Sequence, residues 1–190
     1  MSSFTKKQIA LITLALSLLL WLTRGQHMAS LAHLPDASWA IFFALGFYFS
    51  SPLFFVAFLG QSVLIDLMVM PQIGGLSIIN PGYALLLPAY FVMWLSGRWL
   101  AKNSPANNFS TFTQLLKAVV VGVVICEFIS SAGFYFFISA NTGDLTGFIQ
   151  NLGQFLLNDL LITLAYIALF AAIHSAFLGY EQKKLALKKV

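Results

Sequence analysis

Three carboxylates, Asp66, Glu127 and Asp159, lie inside long apolar stretches of this 190-residue sequence. If those stretches span a bilayer, each acid is costly unless it faces a cavity or a partner. A rise of about 1.5 Å per residue, counted from the nearest predicted helix end, places all three acids in the same half of the membrane. We therefore predict an outward-facing polar cavity, floored by Glu127 and lined by Asp66 and Asp159. The alternative is three separate hydrogen bonds between neighbouring helices.

A long loop without charges, Pro71–Pro81, follows Asp66 and contains the pair Gly74-Gly75. Its own apolar side chains favour a lid that closes over a bound ligand, although a loop resting at the lipid headgroups is an alternative. Hydrogen-bonding groups in and just after the loop could contact that ligand. The predicted substrate-binding residues are Asp66, Ser77, Asn80, Tyr83, Glu127 and Asp159.

Motifs for catalysis and metal binding are absent from the sequence. It has no glycine-rich phosphate loop, no His-Glu-x-x-His motif and no nucleophile elbow. His27 and His33 are poorly spaced for a metal, and the single cysteine, Cys126, is interpreted as a small packing residue. His174 is interpreted as an interface residue. We therefore predict no enzyme, no catalytic residues, no metal site and no tightly bound cofactor.

The amino-acid composition predicts that the chain lies in a lipid bilayer. Hydrophobic residues make up 59% and charged residues only 8% of the sequence, against about 25% charged residues in soluble domains. The mean hydropathy is +0.87. A soluble protein of this size could not bury so much apolar surface. The net charge of +4 is interpreted as a sign of membrane topology, and we predict no nucleic-acid partner.

Six apolar runs predict an all-α integral membrane protein with a single transmembrane domain, residues 1–190. A Ser50-Ser51-Pro52 break separates the second run from the third, since proline favours the first turn of a new helix. One re-entrant segment over 37–70, and hence five spans, is the alternative. The predicted runs are Lys7–Thr23, Ala37–Phe49, Pro52–Met70, Gly82–Ala101, Gln114–Ser139 and Gly153–Tyr180.

Lysine and arginine are distributed unequally between the two sides of this six-helix arrangement. Nine of the ten basic residues fall on the side that holds both termini, and only Arg24, interpreted as an interfacial anchor, falls on the other. Because basic residues concentrate on the cytoplasmic side, both termini are predicted to be cytoplasmic. Positions 24–36, 71–81 and 140–152 are then predicted to be outside.

Two segments resemble the small cobalamin transporters of the BtuM type. They are HLPDASWAIFFALGFYF (33–49) and NPGYALLLPAYFVMWLSGRW (80–99), with Asp66 at the end of the intervening helix. Such transporters are solitary substrate-binding (S) components of the energy-coupling-factor (ECF) transporter family in Gram-negative bacteria. The resemblance covers about residues 33–100 well, together with the six-helix layout.

The resemblance implies an ECF S-component-like bundle in the bacterial inner membrane, with a vitamin pocket at the periplasmic face. Asp66 and Tyr83 match pocket residues of the family. The implied ligand is a vitamin-like small molecule, most simply cobalamin or a related corrinoid, and an ECF coupling module (a transmembrane subunit with ATPases) is a possible partner. One departure is that Ile78 stands where the family has a cobalt-ligating cysteine, so the metal ligand is not carried over.

Two other functions fit the same residues. The chain could be a structural subunit of a cell-envelope complex, similar to rod-shape-determining membrane proteins, which would bind no ligand. It could also be a proton- or cation-coupled carrier in which the three acids titrate.

Overall fold

A computed structural model describes residues 5–24, 34–49, 51–69, 81–103, 109–137 and 144–187. These residues form helices and short connections, with no strand among them. In chain order the helices are α1 (Lys6–Arg24), α2 (Ser38–Tyr48), α3 (Pro52–Val69), α4 (Pro81–Ala84), α5 (Leu86–Asn103), α6 (Phe109–Phe137) and α7 (Leu145–Leu187). The single turn α4 runs directly into α5, so the two act as one helix.

Five helical segments within the described part of the chain are long and apolar enough to cross a bilayer. They are Lys6–Arg24, Pro52–Val69, Pro81–Asn103, Thr111–Phe137 and Leu145–Phe177. With its 11 residues, α2 extends for about 16 Å, which is too short for a hydrocarbon core of about 30 Å. The described part of the chain is thus all-helical, as predicted, and has the long apolar helices of a multi-pass membrane protein, but its second apolar run is not a full-length span.

The predicted break between the second and third runs is confirmed. Helix α2 ends at Tyr48, Phe49 is extended, and α3 begins at Pro52. The Ser51 hydroxyl accepts a hydrogen bond from the Leu53 backbone N–H (3.3 Å), which satisfies one of the free donors at the start of α3. Residues 37–70 therefore form two helices, of which α3 is long enough to span a bilayer and α2 is not, as in the five-span alternative.

Helix α7 begins at Leu145, eight residues before the predicted start at Gly153. The cause is a cap: the Asp144 carboxylate accepts hydrogen bonds from the backbone N–H groups of Thr146 (3.0 Å) and Gly147 (3.2 Å). The Tyr135 hydroxyl also donates to the Asp144 carbonyl oxygen (2.8 Å), which fixes this turn against the end of α6. Residues 145–152, predicted to lie in an outside loop, are helical.

The short helix α2 lies at the centre of the bundle, with eight of its 11 residues buried. It packs against α5 through two glycines. A Cβ at Gly46 would lie 1.9 Å from the Trp94 carbonyl oxygen, and a Cβ at Gly97 would lie 2.0 Å from the Phe43 carbonyl oxygen. Because apolar burial does not drive helices together in lipid, close backbone contact at small residues is a main source of this association.

The outer helices present leucine-rich faces to the surroundings. Leu11, Leu14 and Leu18 of α1 are exposed, as are Leu157 and Leu161 of α7. In a membrane protein such faces contact lipid tails.

Chain direction brings one set of helix ends together. The last residues of α1 and α3 and the first residues of α2 and α4 lie at the same end of the bundle, where Arg24 meets Asp36 and Asp66. We call this the Arg24 end. Lys6, Lys7 and Lys102 lie at the other ends of their helices.

Candidate ligand-binding cavity

A cavity of about 390 Å³ lies at the Arg24 end of the bundle. Each of the helices α1 to α7 contributes at least one side chain to its lining, and most of these side chains are polar or aromatic. The lining residues are Thr23, Arg24, Asp36, Trp39, Asp66, Tyr83, Leu86, Tyr90, Ser130, Asp159, Ile162 and Thr163. The volume is at the lower end of the range in which proteins enclose small ligands, roughly 300–1,000 Å³.

One wall of the cavity is built around an ion pair between α1 and α3. Arg24 Nε donates to Asp66 Oδ1 (2.8 Å), and Arg24 Nη2 donates to Asp66 Oδ2 (2.6 Å). The guanidinium and the carboxylate thus meet in the two-point geometry that suits them best. Both side chains are largely buried, with exposed fractions of 8% for Arg24 and 11% for Asp66.

The same guanidinium reaches two further helices. Arg24 Nη1 donates to the hydroxyl oxygens of Ser38 at the start of α2 (2.9 Å) and of Tyr90 in α5 (2.5 Å). The Tyr83 hydroxyl donates to Asp66 Oδ2 (2.5 Å) from the turn α4. We call these five residues, Arg24, Ser38, Asp66, Tyr83 and Tyr90, the arginine wall. Its hydrogen bonds join α1, α2, α3, α4 and α5.

Local packing explains why these side chains point inward. The Tyr90 ring stacks on Phe42 of the central helix, with ring centroids 4.4 Å apart, and its face also lies 5.4 Å from the Arg24 guanidinium carbon. The Ser38 backbone N–H and hydroxyl both donate to Asp36 Oδ1 (3.0 and 2.7 Å), which fixes the first turn of α2. Asp36 Oδ2 is 3.8 Å from Arg24 Nη1, and this side chain is 46% exposed.

A second wall is built from two acids on α6 and α7. The Glu127 and Asp159 carboxyl groups lie close enough to interact with each other. Because two carboxylates so close repel each other, the pair is more stable when one of them carries a proton. The Ser131 hydroxyl donates to Glu127 Oε1, and the Asn158 amide lies 3.4 Å from Asp159 Oδ1. We call Glu127, Ser131 and Asp159 the acidic wall.

Within the acidic wall only Asp159 lines the cavity. Glu127 is 4% exposed and lies behind it. Helix α7, which carries Asp159, is also held to the segment before α2, since the Tyr166 hydroxyl donates to the Pro35 carbonyl oxygen (2.8 Å). Asp159 and the arginine wall thus line the same cavity from different helices.

The predicted site residues that the structure describes come together. Asp66, Tyr83 and Asp159 line the cavity, and Glu127 contacts Asp159 directly. Asp159 lies 14 residues after the first residue of its helix, Leu145, rather than the six residues counted from the predicted start at Gly153. Ser77, Asn80, Ile78 and the predicted lid over 71–80 lie outside the described residues.

Sequence reasoning missed the residue that organises one side of the site. Because Arg24 ends an apolar run, the sequence predicts that it lies at the membrane interface. In the structure its side chain instead points into the bundle and pairs with Asp66. Asp36, Trp39 and Tyr90 are also absent from the predicted set. The sequence does contain a sign of this role. A buried carboxylate needs a cation, and in the predicted topology Arg24 is the single basic residue on the same side of the membrane as Asp66.

Two other residues singled out in the sequence lie away from the cavity lining. The Cys126 thiol is buried and donates to the Ala89 carbonyl oxygen (2.8 Å). His174 packs against Tyr48 at the last turn of α2, with ring centroids 5.6 Å apart. Tyr48 lies at the end of α2 opposite the cavity.

Comparison with known proteins does not assign the chain to a family. No protein-family model matches the chain, and no curated protein matches it.

Proposed function

We propose that the chain is a membrane-embedded substrate-binding protein that takes part in the uptake of a vitamin-like small molecule. The observation that carries this proposal is the charged, aromatic cavity at one end of an otherwise apolar bundle. Buried charges in a membrane protein mark ligand or ion sites more often than they serve packing. A cavity lined by few charged and several aromatic groups is the usual form of a small-molecule site.

The basic residues place this cavity on the outer side of the membrane in our proposal. The lysines of α1 and α5 lie at the far ends of their helices from Arg24. By the positive-inside rule those ends face the cytoplasm. The cavity then opens to the periplasm of a Gram-negative bacterium, where a ligand arrives before uptake.

The resemblance to cobalamin transporters makes cobalamin the first ligand to test. A corrinoid is larger than the ligands that fill a cavity of about 390 Å³. Most of a bound corrinoid would therefore remain outside this cavity, with one substituent inside it. A smaller vitamin would fit the cavity whole. Whether an ECF coupling module takes part in transport is a separate question from binding.

Ligand binding to the purified protein is the direct test. Cobalamin and a panel of smaller vitamins should be added singly, and the melting temperature recorded, since a ligand that binds only the folded state raises it. We expect at least one compound to raise it and Trp39→Ala, inside the cavity, to abolish the rise. Trp99→Ala is the matched control, because Trp99 is an exposed residue of α5 outside the cavity lining. If no compound shifts the wild type, or if both variants respond alike, the proposal is wrong.

A proton-coupled carrier is the second candidate, favoured by the close placement of the Glu127 and Asp159 carboxyl groups, which is suited to taking up and releasing a proton. In such a carrier the ligand and the proton would use the same wall of the cavity. Uptake into vesicles would then require a proton gradient and would stop when the gradient is collapsed. A structural envelope subunit would instead show no ligand at all, and only the arginine wall would matter for its stability.

A further inference from the structure

The charges around the cavity do not balance. Arg24 is the single basic side chain among the described lining residues, and three carboxylates, Asp36, Asp66 and Asp159, line the same space. The bidentate pair with Arg24 neutralises Asp66. The cavity therefore has a surplus of two negative charges when Glu127 is protonated.

Asp159 is the carboxylate for which this surplus matters most. Asp159 makes no ion pair within the described residues, whose two acidic partners of a basic side chain are Asp36 and Asp66. Its neighbours include the Asn158 amide and the Glu127 carboxyl, neither of which is a cation. Arg24 directs four of its five N–H groups to Asp66, Ser38 and Tyr90, and its ion pairs are with Asp36 and Asp66 rather than with Asp159. An anionic group so placed in a low-dielectric bundle is stabilised when a positive charge arrives beside it.

Aromatic side chains lie on the same surface. Trp39 and Tyr83 line the cavity together with Asp159. The electron-rich faces of such rings attract cations, and the effect is strongest for tryptophan. Aromatic side chains recognise quaternary ammonium ligands in this way, and a neighbouring carboxylate adds the opposite charge.

From this juxtaposition we infer that the cavity binds the cationic group of an organic ligand, an ammonium or similar onium ion, between Asp159 and Trp39. This inference rests on the proposed substrate-binding function and narrows it to a ligand class. A metal ion is a poorer fit, since the described residues contain no group of three His, Cys, Asp or Glu side chains placed to hold one. The inside-negative potential of a bacterial membrane also favours inward movement of such a cation.

A pair of probes that differ only in charge tests the inference. Choline and its neutral analogue 3,3-dimethyl-1-butanol have the same shape, with nitrogen replaced by carbon. Each is titrated into the purified wild-type protein, and the dissociation constant is taken from the concentration dependence of the melting temperature. We expect choline to bind more tightly by about tenfold or more, which corresponds to about 1.4 kcal/mol.

Two variants of the acidic wall, each with an acid replaced by its amide, test which carboxylate causes the preference for choline. Asp159→Asn removes the negative charge that faces the cavity, so the preference for choline should fall to about twofold or less. Glu127→Gln keeps the shape and lets its amide donate to Asp159, so the preference should persist. Because both variants keep a hydrogen bond between α6 and α7, a difference between them reports charge rather than folding.

The outcomes separate this inference from the proposed function. Equal affinity for the two probes, with cobalamin or another vitamin still bound, overturns the cation inference and leaves the binding function standing. A preference for choline that survives Asp159→Asn overturns the assignment to Asp159. If neither probe nor any vitamin binds to a wild-type protein that is folded, both the inference and the proposed function are wrong.

Discussion

The two walls of the cavity use similar residues in different ways. In the arginine wall, Asp66 has a guanidinium and a tyrosine hydroxyl as partners, and the guanidinium itself joins four helices. In the acidic wall, Asp159 lies beside another acid and an amide and makes no ion pair among the described residues. A carboxylate with a cation and hydrogen bonds is a complete structural element, whereas one without a cation still has a favourable partner to gain. We therefore assign the arginine wall to stability and the acidic wall to the ligand.

The largest expected effect is that of removing the guanidinium. Arg24→Ala leaves Asp66 buried without a cation and removes contacts to Ser38 and Tyr90. We expect the free energy of unfolding to fall by about 3–5 kcal/mol, the usual result of breaking one half of a buried pair. Denaturant unfolding of the purified protein in detergent micelles measures it.

Arg98→Ala is the control for this variant. Its guanidinium lies over the Trp94 ring, 4.7 Å from the centroid, away from the cavity. A contact of this kind contributes about 0.5–2 kcal/mol. A loss for Arg24→Ala no greater than that for Arg98→Ala would contradict the structural role of the arginine wall.

The next largest effect is expected from widening the gap between α2 and α5, the two helices whose hydroxyl groups accept hydrogen bonds from Arg24. Ser38 and Tyr90 belong to α2 and α5, and a Cβ at Gly97 would lie 2.0 Å from a backbone oxygen of α2. Gly97→Ala must push these backbones apart, and we expect it to lower the free energy of unfolding by about 1–3 kcal/mol.

Gly60→Ala is the matched control, because nothing lies within 4 Å of a Cβ built at Gly60 in the middle of α3. Alanine is the better helix former, by up to about 1 kcal/mol. Thermal unfolding of the two variants should therefore shift in opposite directions. Equal losses would show that close approach of α2 and α5 is not what the glycine provides.

The smallest effect on the free energy of unfolding is expected when an acid of the acidic wall is replaced by its uncharged amide. Glu127→Gln can still accept from the Ser131 hydroxyl and donate to Asp159, so stability should change by less than about 1 kcal/mol. Asp66→Asn, the equivalent change in the arginine wall, should be more destabilising because its amide N–H₂ would face the Arg24 guanidinium. Comparing the two in one unfolding experiment contrasts the walls directly. A larger loss for Glu127→Gln would reverse our assignment.

Part of this arrangement follows from the sequence. The cost of isolated carboxylates in a membrane is enough to predict that Asp66, Glu127 and Asp159 share one cavity, and all three lie in or directly behind it. The helix break at Ser50-Ser51-Pro52 also follows from the known preferences of serine and proline.

Which side chains pair within the cavity is harder to predict, because the pairing depends on how the helices pack against one another. A terminal arginine is equally compatible with the headgroups and with the bundle interior, and only the packing of α1 on α3 selects Asp66 as its partner. The early start of α7 is missed because LTGFIQNL (145–152) contains Gly147 and Asn151, which weaken the helical signal, while the cap at Asp144 and the contact with Tyr135 stabilise it.

The most direct test of the division between the walls is a paired measurement on Asp159→Asn. Its melting temperature and its affinity for choline are determined in the same detergent and at the same pH as those of the wild type. We predict a melting temperature within about 2 °C of the wild type, corresponding to less than about 1 kcal/mol, together with a loss of choline affinity of about tenfold or more. A melting temperature lowered as far as in Arg24→Ala, with choline affinity unchanged, would show that the acidic wall is structural and would contradict the account.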